Sequence, residues 1–314
     1  MKSILHYRAT PGFRDQVSKL QNDWLRIVVV EETDKENFAR EMQDADVLLH
    51  VLEPVRAGDI AAAPNLKLIQ KLGIGVDTID LDAARRRGIA VCNMPGTNTR
   101  AVAELTLLLM LASLRRLTEL DTETRAGNGW SLDPYSLDNL SELGGRVVGL
   151  VGFGAVGKCL TPMLQAIGAR VIYTDIKEAT DTSATFVSFA DLLSTADIVS
   201  VHVPLTPDTT RIMNAAAFAA MKRGSILINT ARGGLVDETA LCDAIESGHL
   251  RGAGLDVFPA EPVEAESPLL RLPNVIVTPH LAWFTRETVS RSLGVFAENC
   301  QRLRDGQPLI NRVV

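Results

Sequence analysis

The stretch Val147-Val148-Gly149-Leu150-Val151-Gly152-Phe153-Gly154-Ala155-Val156-Gly157 decides the fold. Its first residues are apolar and β-prone, and it then runs into Gly-x-Gly-x-x-Gly. That order predicts a buried strand, a tight turn and the first turn of a helix. Gly152 permits the turn, Gly154 lets a pyrophosphate approach the backbone, and Gly157 lets the helix pack on the strand. The helix N-terminus then offers unpaired N–H groups and a positive dipole end to phosphates. The next β-rich run, Ala169-Arg170-Val171-Ile172-Tyr173-Thr174-Asp175, ends in an acid 18 residues after Gly157. A carboxylate there suits the ribose hydroxyls of a dinucleotide. It repels a 2′-phosphate, so Asp175 favours NAD over NADP, with Lys177 working against that preference.

Outward from this unit, the pattern of strands and helices continues. Strands are predicted at 147–151, 170–174, 198–203, 225–229, 252–257 and 275–278, with helices between them. Six such strands make a doubly wound parallel sheet of the dinucleotide-binding type. Upstream, apolar runs at 4–7, 27–30, 47–51, 66–72 and 89–92 alternate with amphipathic pieces, among them 34–42 and 81–87. This too reads as βαβ units and a parallel sheet. Residues 94–100 look like a hinge, and a single long helix is expected from Ala101 to Ala126. A terminal helix over 286–305 carries one apolar face, Val289, Leu293, Phe296, Cys300 and Leu303. The last residues, 309–314, are expected to return to the first sheet. The chain therefore reads as an α/β protein of two doubly wound domains. A Rossmann dinucleotide-binding domain (97–284) is inserted in a flavodoxin-like substrate domain (1–96 and 285–314), with a cleft between them.

Composition narrows the function classes. The 314 residues carry a formal charge of −6, so a phosphate-backbone surface is not expected, and nucleic acid is set aside as a partner. Hydrophobic residues are 46% and charged residues 22%, an ordinary globular composition. The longest apolar stretch, 101–114, is interrupted by Glu104 and is too short for a bilayer span of about 20 residues. Cys92, Cys159, Cys242 and Cys300 lie far apart with no C-x-x-C, which suggests reduced thiols in a cytoplasmic protein. None of the five histidines sits in a metal-binding pattern, so no metal is expected.

Three polar residues follow apolar strands, where α/β sheets present their ligands. Arg232 lies in Asn229-Thr230-Ala231-Arg232-Gly233-Gly234, and its planar fork suits a carboxylate. Glu261 lies between Pro259 and Pro262, and His280 ends Val277-Thr278-Pro279-His280. Reduction of a 2-oxo acid needs a carboxylate anchor, a proton donor and a hydride source. Arg232, His280 and a nicotinamide would supply them. A carboxylate beside an imidazole favours its protonated form, which ketone reduction requires.

With these residues in place the sequence resembles the D-isomer-specific 2-hydroxyacid dehydrogenase family. The matching pieces run through nearly the whole chain. They are Gly73-Ile74-Gly75-Val76-Asp77, 93–104, the glycine motif with Asp175, Val201-His202-Val203-Pro204-Leu205-Thr206, 229–233, 255–258, Glu261-Pro262 and Thr278-Pro279-His280. The Arg–Glu–His spacings of 29 and 19 residues agree with the family pattern. The resemblance implies an Arg232/Glu261/His280 active site. It implies a substrate carboxylate held at Leu72, Gly73, Ile74 and Gly75 together with Arg232 and His280. It implies a cofactor lined by Gly152, Phe153, Gly154, Ala155, Val156, Gly157, Asp175, His202, Pro204, Thr209, Thr230, Ala231, Arg232, Asp256 and His280, with Asp256 facing the nicotinamide carboxamide. It also implies a homodimer through the nucleotide domain and the long helix.

Within the family a glyoxylate- or hydroxypyruvate-like substrate is favoured. Glu53, in the loop after the third strand, would repel a phosphate, which disfavours D-3-phosphoglycerate. Glu261 argues against the formate dehydrogenases, which carry Gln there. Trp283 can wall the substrate pocket, and His50 ends a strand near the expected cleft. The alternative from another class is a dinucleotide-sensing corepressor that uses this fold to bind peptides.

Overall fold

A computed structural model describes the backbone of residues 1–314 and the side chains of all but 135 and 136. The chain divides into two compact units, Met1–Asn98 with Phe284–Val314, and Thr99–Trp283.

The first unit holds five parallel strands, β1 (Lys2–His6), β2 (Arg26–Val30), β3 (Val47–His50), β4 (Leu68–Lys71) and β5 (Ala90–Cys92), in the order β2-β1-β3-β4-β5. This is the flavodoxin-like order, whose crossover point lies between β1 and β3. Buried Ile4, Leu48, Ile69 and Val91 from the strands pack with Phe38, Met42, Ile60, Ala83 and Ala84 from the helices. Asp34 and Asp80 cap two of those helices by accepting from Asn37 N and Ala83 N. The C-terminal residues do return to this sheet. Val313 N donates to Val91 O at 2.7 Å and Asn93 N to Asn311 O at 3.1 Å, in an antiparallel bridge against β5. Buried Asn299, on the helix Arg286–Arg304, ties that strap down: its amide donates to Gln70 Oε1 and to Ile310 O.

The second unit holds seven parallel strands, β6 (Val147–Val151), β7 (Arg170–Thr174), β8 (Thr185–Phe186), β9 (Ile198–Val201), β10 (Ile226–Asn229), β11 (Gly252–Leu255) and β12 (Val275–Val277), in the order β12-β11-β10-β9-β6-β7-β8. The order reverses at β6, so the glycine motif that leaves β6 stands at the topological switch point.

Two expectations are corrected. The helix expected from Ala101 to Ala126 is two helices, Thr99–Arg115 and Leu117–Arg125, with Arg116 between them at a φ of 48°. The reason is tertiary: the Leu114 carbonyl accepts from Arg251 Nη2 at 2.9 Å and from Ser141 N at 3.1 Å, so the helix end is held by residues outside it. The second correction is β8, a seventh strand of two exposed residues on the sheet edge. Several expected strands are also shorter, 66–72 shrinking to Leu68–Lys71.

His50 shows how the first sheet meets acid. It is 2% exposed, its Nε2 lies 2.7 Å from the Glu53 carbonyl, and burial with repulsion from Lys71 pushes its pKa down to about 3. In the unfolded chain a histidine titrates near 6.5. As pH falls below that value the unfolded chain takes up this proton first, so the stability contribution is present above pH 6.5 and is lost on the way down. The melting temperature is therefore expected to fall between pH 6.5 and 4.5, with His50 contributing on the order of 1–3 kcal/mol. His50→Gln should show a smaller drop over that window than the wild type. An identical drop would remove His50 from the account.

Candidate active site

The glycine turn has the geometry a dinucleotide needs. Gly152 adopts a φ of 98°, and a Cβ there would lie 2.8 Å from the backbone of His202 and Val203. A Cβ on Gly157 would lie 3.1 Å from Gly152 O, so this glycine sets the closeness of helix to turn. Gly154 is different: a Cβ there would meet nothing within 4 Å, which leaves its backbone open on the outer side. It is the N-cap of the helix Ala155–Ala166, with no side chain capping the first N–H groups. Ala155 and Val156 form the first turn. An uncapped N-terminus behind an open glycine fits a pyrophosphate. Asp175 lies just past β7, where its carboxylate accepts from Phe153 N at 2.7 Å and Ile176 N at 2.6 Å. It thereby fixes the glycine turn while standing beside it, and these residues fit the group.

The other cofactor-lining candidates divide. His202 follows β9; its Nε2 lies 2.9 Å from Ser200 Oγ and burial pushes its pKa down to about 4, so it is neutral. Thr209 is engaged in its own loop, donating to Pro204 O at 2.6 Å and accepting from Thr206 N at 2.8 Å. Thr230 is buried against Thr106, with 2.9 Å between the hydroxyls. Asp256 is fully buried, and its carboxylate accepts from Thr278, Leu281 and Ala282.

Arg232, Glu261 and His280 all belong to the second unit. Arg232 leaves β10 through a turn held by Asn229, whose amide accepts from Ala231 N at 3.0 Å and donates to Arg232 O at 2.9 Å. The guanidinium donates to Ala231 O at 2.8 Å. The following residue could only be glycine. A Cβ on Gly233 would collide with the backbone of Phe258 and Pro259. That close approach carries the arginine turn up against the segment leading to Glu261.

Glu261 Oε2 and His280 Nδ1 are 2.6 Å apart. Glu261 Oε1 accepts from Phe258 N at 2.9 Å, which orients the carboxylate. Burial raises the Glu261 pKa, but the His280 hydrogen bond and charge, the Phe258 N–H and the Arg232 charge together hold it below its ordinary value. The pair is thus a carboxylate and an imidazole in contact, with Arg232 acting on the carboxylate. His280 itself has a φ of 54°, unusual for a residue with a side chain. Trp283, three residues on, is 7% exposed.

The Leu72–Gly75 loop lies in the first unit, after β4. Leu72 is buried and its N donates to His50 O at 2.8 Å. Gly73, at a φ of 136°, accepts from Met94 N through its carbonyl, and the Ile74 carbonyl accepts from the Asn93 amide at 2.9 Å. With its carbonyls so anchored, the loop leaves Ile74 42% exposed. Sequence reasoning missed Asn229, Gly233 and Phe258 as site-building residues. The pairing of glycines after Arg232 was the one local signal for Gly233.

The chain also resembles known proteins in sequence and in fold. Residues 107–282 match the family described as D-isomer specific 2-hydroxyacid dehydrogenase, NAD binding domain. The chain is 40% identical to D-3-phosphoglycerate dehydrogenase of Mycobacterium leprae over 290 residues, which is 91% of this chain and 54% of that protein. It thus spans about half the length of that relative. It is 38% identical to glyoxylate reductase of Thermofilum pendens over 291 residues, covering 89% of this chain and 85% of that one. Among solved structures, the TT0316 protein of Thermus thermophilus superimposes with a TM-score of 0.91 at 38% identity, over 100% of both chains.

Proposed function

The chain belongs to the D-isomer-specific 2-hydroxyacid dehydrogenase family, and on that premise we propose that it reversibly reduces a small 2-oxo acid to the D-2-hydroxy acid with NADH. The observation that carries this reading is the 2.6 Å contact between Glu261 and His280, with the Arg232 charge acting on the same carboxylate. Since Nδ1 of His280 meets Glu261, Nε2 is the nitrogen left to face the substrate. In reduction Nε2 gives its proton to the carbonyl oxygen; in oxidation it takes the hydroxyl proton back. Arg232 grips the carboxylate with its planar fork, which sets the carbonyl beside His280. NADH, when bound, would supply the hydride to the carbonyl carbon; Gly152–Gly157 would hold its pyrophosphate and Asp175 its adenosine ribose. Trp283 is proposed as a pocket wall.

The substrate we favour is glyoxylate- or hydroxypyruvate-like, supported by the glyoxylate reductase relative and by the acidic Glu53 after β3, which disfavours a phosphate. D-3-phosphoglycerate oxidation is the second reading, supported by the Mycobacterium leprae relative. We further propose a cytoplasmic homodimer. Supporting the first point, Cys92, Cys242 and Cys300 are buried free thiols, and burial pushes Cys300 up to about 12. No helix among the described residues is long and apolar enough to cross a membrane. Supporting the dimer, Leu108 and Leu117 are each 52% exposed on the helices Thr99–Arg115 and Leu117–Arg125.

The test is NADH and NADPH oxidation against glyoxylate, hydroxypyruvate, pyruvate, phenylpyruvate and phosphohydroxypyruvate. NADH is expected to exceed NADPH at least about tenfold in kcat/KM, because a 2′-phosphate would lie against the Asp175 carboxylate. A preference for NADPH would overturn the role of Asp175. A best rate with phosphohydroxypyruvate would move the assignment to the second reading. No turnover of any 2-oxo acid would favour a dinucleotide-sensing binding protein.

A further inference from the structure

Thr106 is a polar residue on an apolar helix face. It is fully buried in the helix Thr99–Arg115, where Ala103, Leu109 and Met110 pack with Ile226 and Ile228 of β10. Those three residues lie three or four positions from Thr106 and share its side of the helix. Gly254 of β11 lets the helix come down this far, because a Cβ there would lie 2.9 Å from Leu109 Cβ. A hydroxyl buried in such a face is unfavourable unless it is hydrogen-bonded, and a valine would fill the same space without one.

The hydrogen bonds of Thr106 have fixed directions. Its Oγ1 lies 2.7 Å from Val102 O, which can only accept, so the single hydroxyl proton goes there. The Thr230 hydroxyl, 2.9 Å away, must then donate and Thr106 accept. Thr230 is 7% exposed and lies 124 residues further along the chain. The sequence of donors runs from Thr230 to Thr106 to Val102 O and leaves no hydroxyl proton over.

Thr230 opens the turn that carries Arg232. Hydrogen bonds inside that turn shape it: Asn229 Oδ1 accepts from Ala231 N at 3.0 Å, the Asn229 amide donates to Arg232 O at 2.9 Å, and Ala231 O accepts from Arg232 Nη1 at 2.8 Å. Thr106 ties the start of this turn to a separate element. Without that acceptor the Thr230 hydroxyl would be a buried donor in search of a partner. The acceptors next to it in the chain are the Asn229 side chain and the Ala231 carbonyl, the same groups that shape the turn and hold the guanidinium.

We propose that Thr106 is a positioning residue for substrate binding: by accepting from Thr230 it fixes the start of the 229–233 turn and so the place of the Arg232 guanidinium. This role rests on Arg232 as the carboxylate anchor of the proposed reaction.

The test uses the full chain with Thr106→Val, which keeps the shape of the side chain and removes the acceptor. KM for the best 2-oxo acid should rise about 5–20-fold, with kcat within about threefold and the NADH Kd within about twofold of wild type. Thr106→Ser keeps the hydroxyl and should return KM to within about twofold of wild type. In the Arg232→Ala background Thr106→Val should raise KM no further, because the anchor it acts through is gone. A purely structural loss would instead lower the active fraction, and with it the apparent kcat, at an unchanged KM. That outcome overturns the role of Thr106. So does an equal KM rise in Thr106→Ser, an additive rise over Arg232→Ala, or a weakened NADH Kd with KM intact. If Thr106→Val does not fold, Thr230→Val breaks the same tie from the other side and leaves the Thr106 proton on Val102 O. It should raise KM in the same way, and an unmoved KM there also removes Thr106. If the wild type turns over no 2-oxo acid, the proposed reaction fails, and the Kd of oxamate for the NADH complex decides the positioning role. Binding about fivefold weaker in Thr106→Val upholds it, whereas equal binding, or none to the wild type, removes it.

Discussion

His280→Ala is expected to lower kcat for 2-oxo acid reduction at least about 100-fold while leaving the NADH Kd nearly unchanged. The carbonyl oxygen gains negative charge as the hydride arrives, and a positioned acid that neutralises it contributes roughly 10²–10⁴-fold. Here the acid is prepared by geometry. Glu261 at 2.6 Å orients the ring through Nδ1 and leaves Nε2 for the substrate. Because the Glu261 carboxyl titrates below its ordinary value of 4.5, it remains ionised at pH 5, so the acid side of the rate profile should hold to about that pH. Glu261→Gln removes the carboxylate that orients the ring through Nδ1, so kcat should fall, by less than in His280→Ala. A near-wild-type kcat in His280→Ala would end the assignment of the proton to this residue.

The parts of this molecule that were legible in its sequence are those set by local physics. The glycine motif is one: a strand, a turn that needs a positive φ at Gly152 and a helix start are all decided within eleven residues. The two-domain α/β pattern is another, because strand and helix periodicities need no distant partner. The helix break at Arg116 was not legible, because the groups that occupy the Leu114 carbonyl come from Ser141 and Arg251. The two exposed residues of β8 offer no hydrophobic signal at all. Residue identity also hid one role: Gly233 looks like any turn glycine until Phe258 is found against it. The spacing of Arg232, Glu261 and His280 named the candidates, but the close approach of Gly233 to Phe258 and Pro259, which brings the arginine turn against the segment leading to Glu261, is visible only in the fold.

Arg232→Ala is expected to lower kcat/KM for a 2-oxo acid by roughly 10–150-fold, mostly as a rise in KM, which is the loss of a charge-assisted hydrogen bond of about 1.5–3 kcal/mol. The protein as a whole, at a formal charge of −6, does not attract an anionic substrate, so the anchor has to be local. Its position is defined from both ends: Asn229 holds the turn before it, and Gly233 presses the turn after it against Phe258 and Pro259. Arg232→Lys keeps the charge and loses the fork, so it should recover only part of the affinity. Two effects then separate. A substrate with its carboxylate esterified should be reduced equally poorly by wild type and Arg232→Ala, because the group that tells them apart is gone. A variant that binds NADH more weakly while its KM for the acid is unchanged would assign Arg232 to the cofactor, and the carboxylate would need another partner.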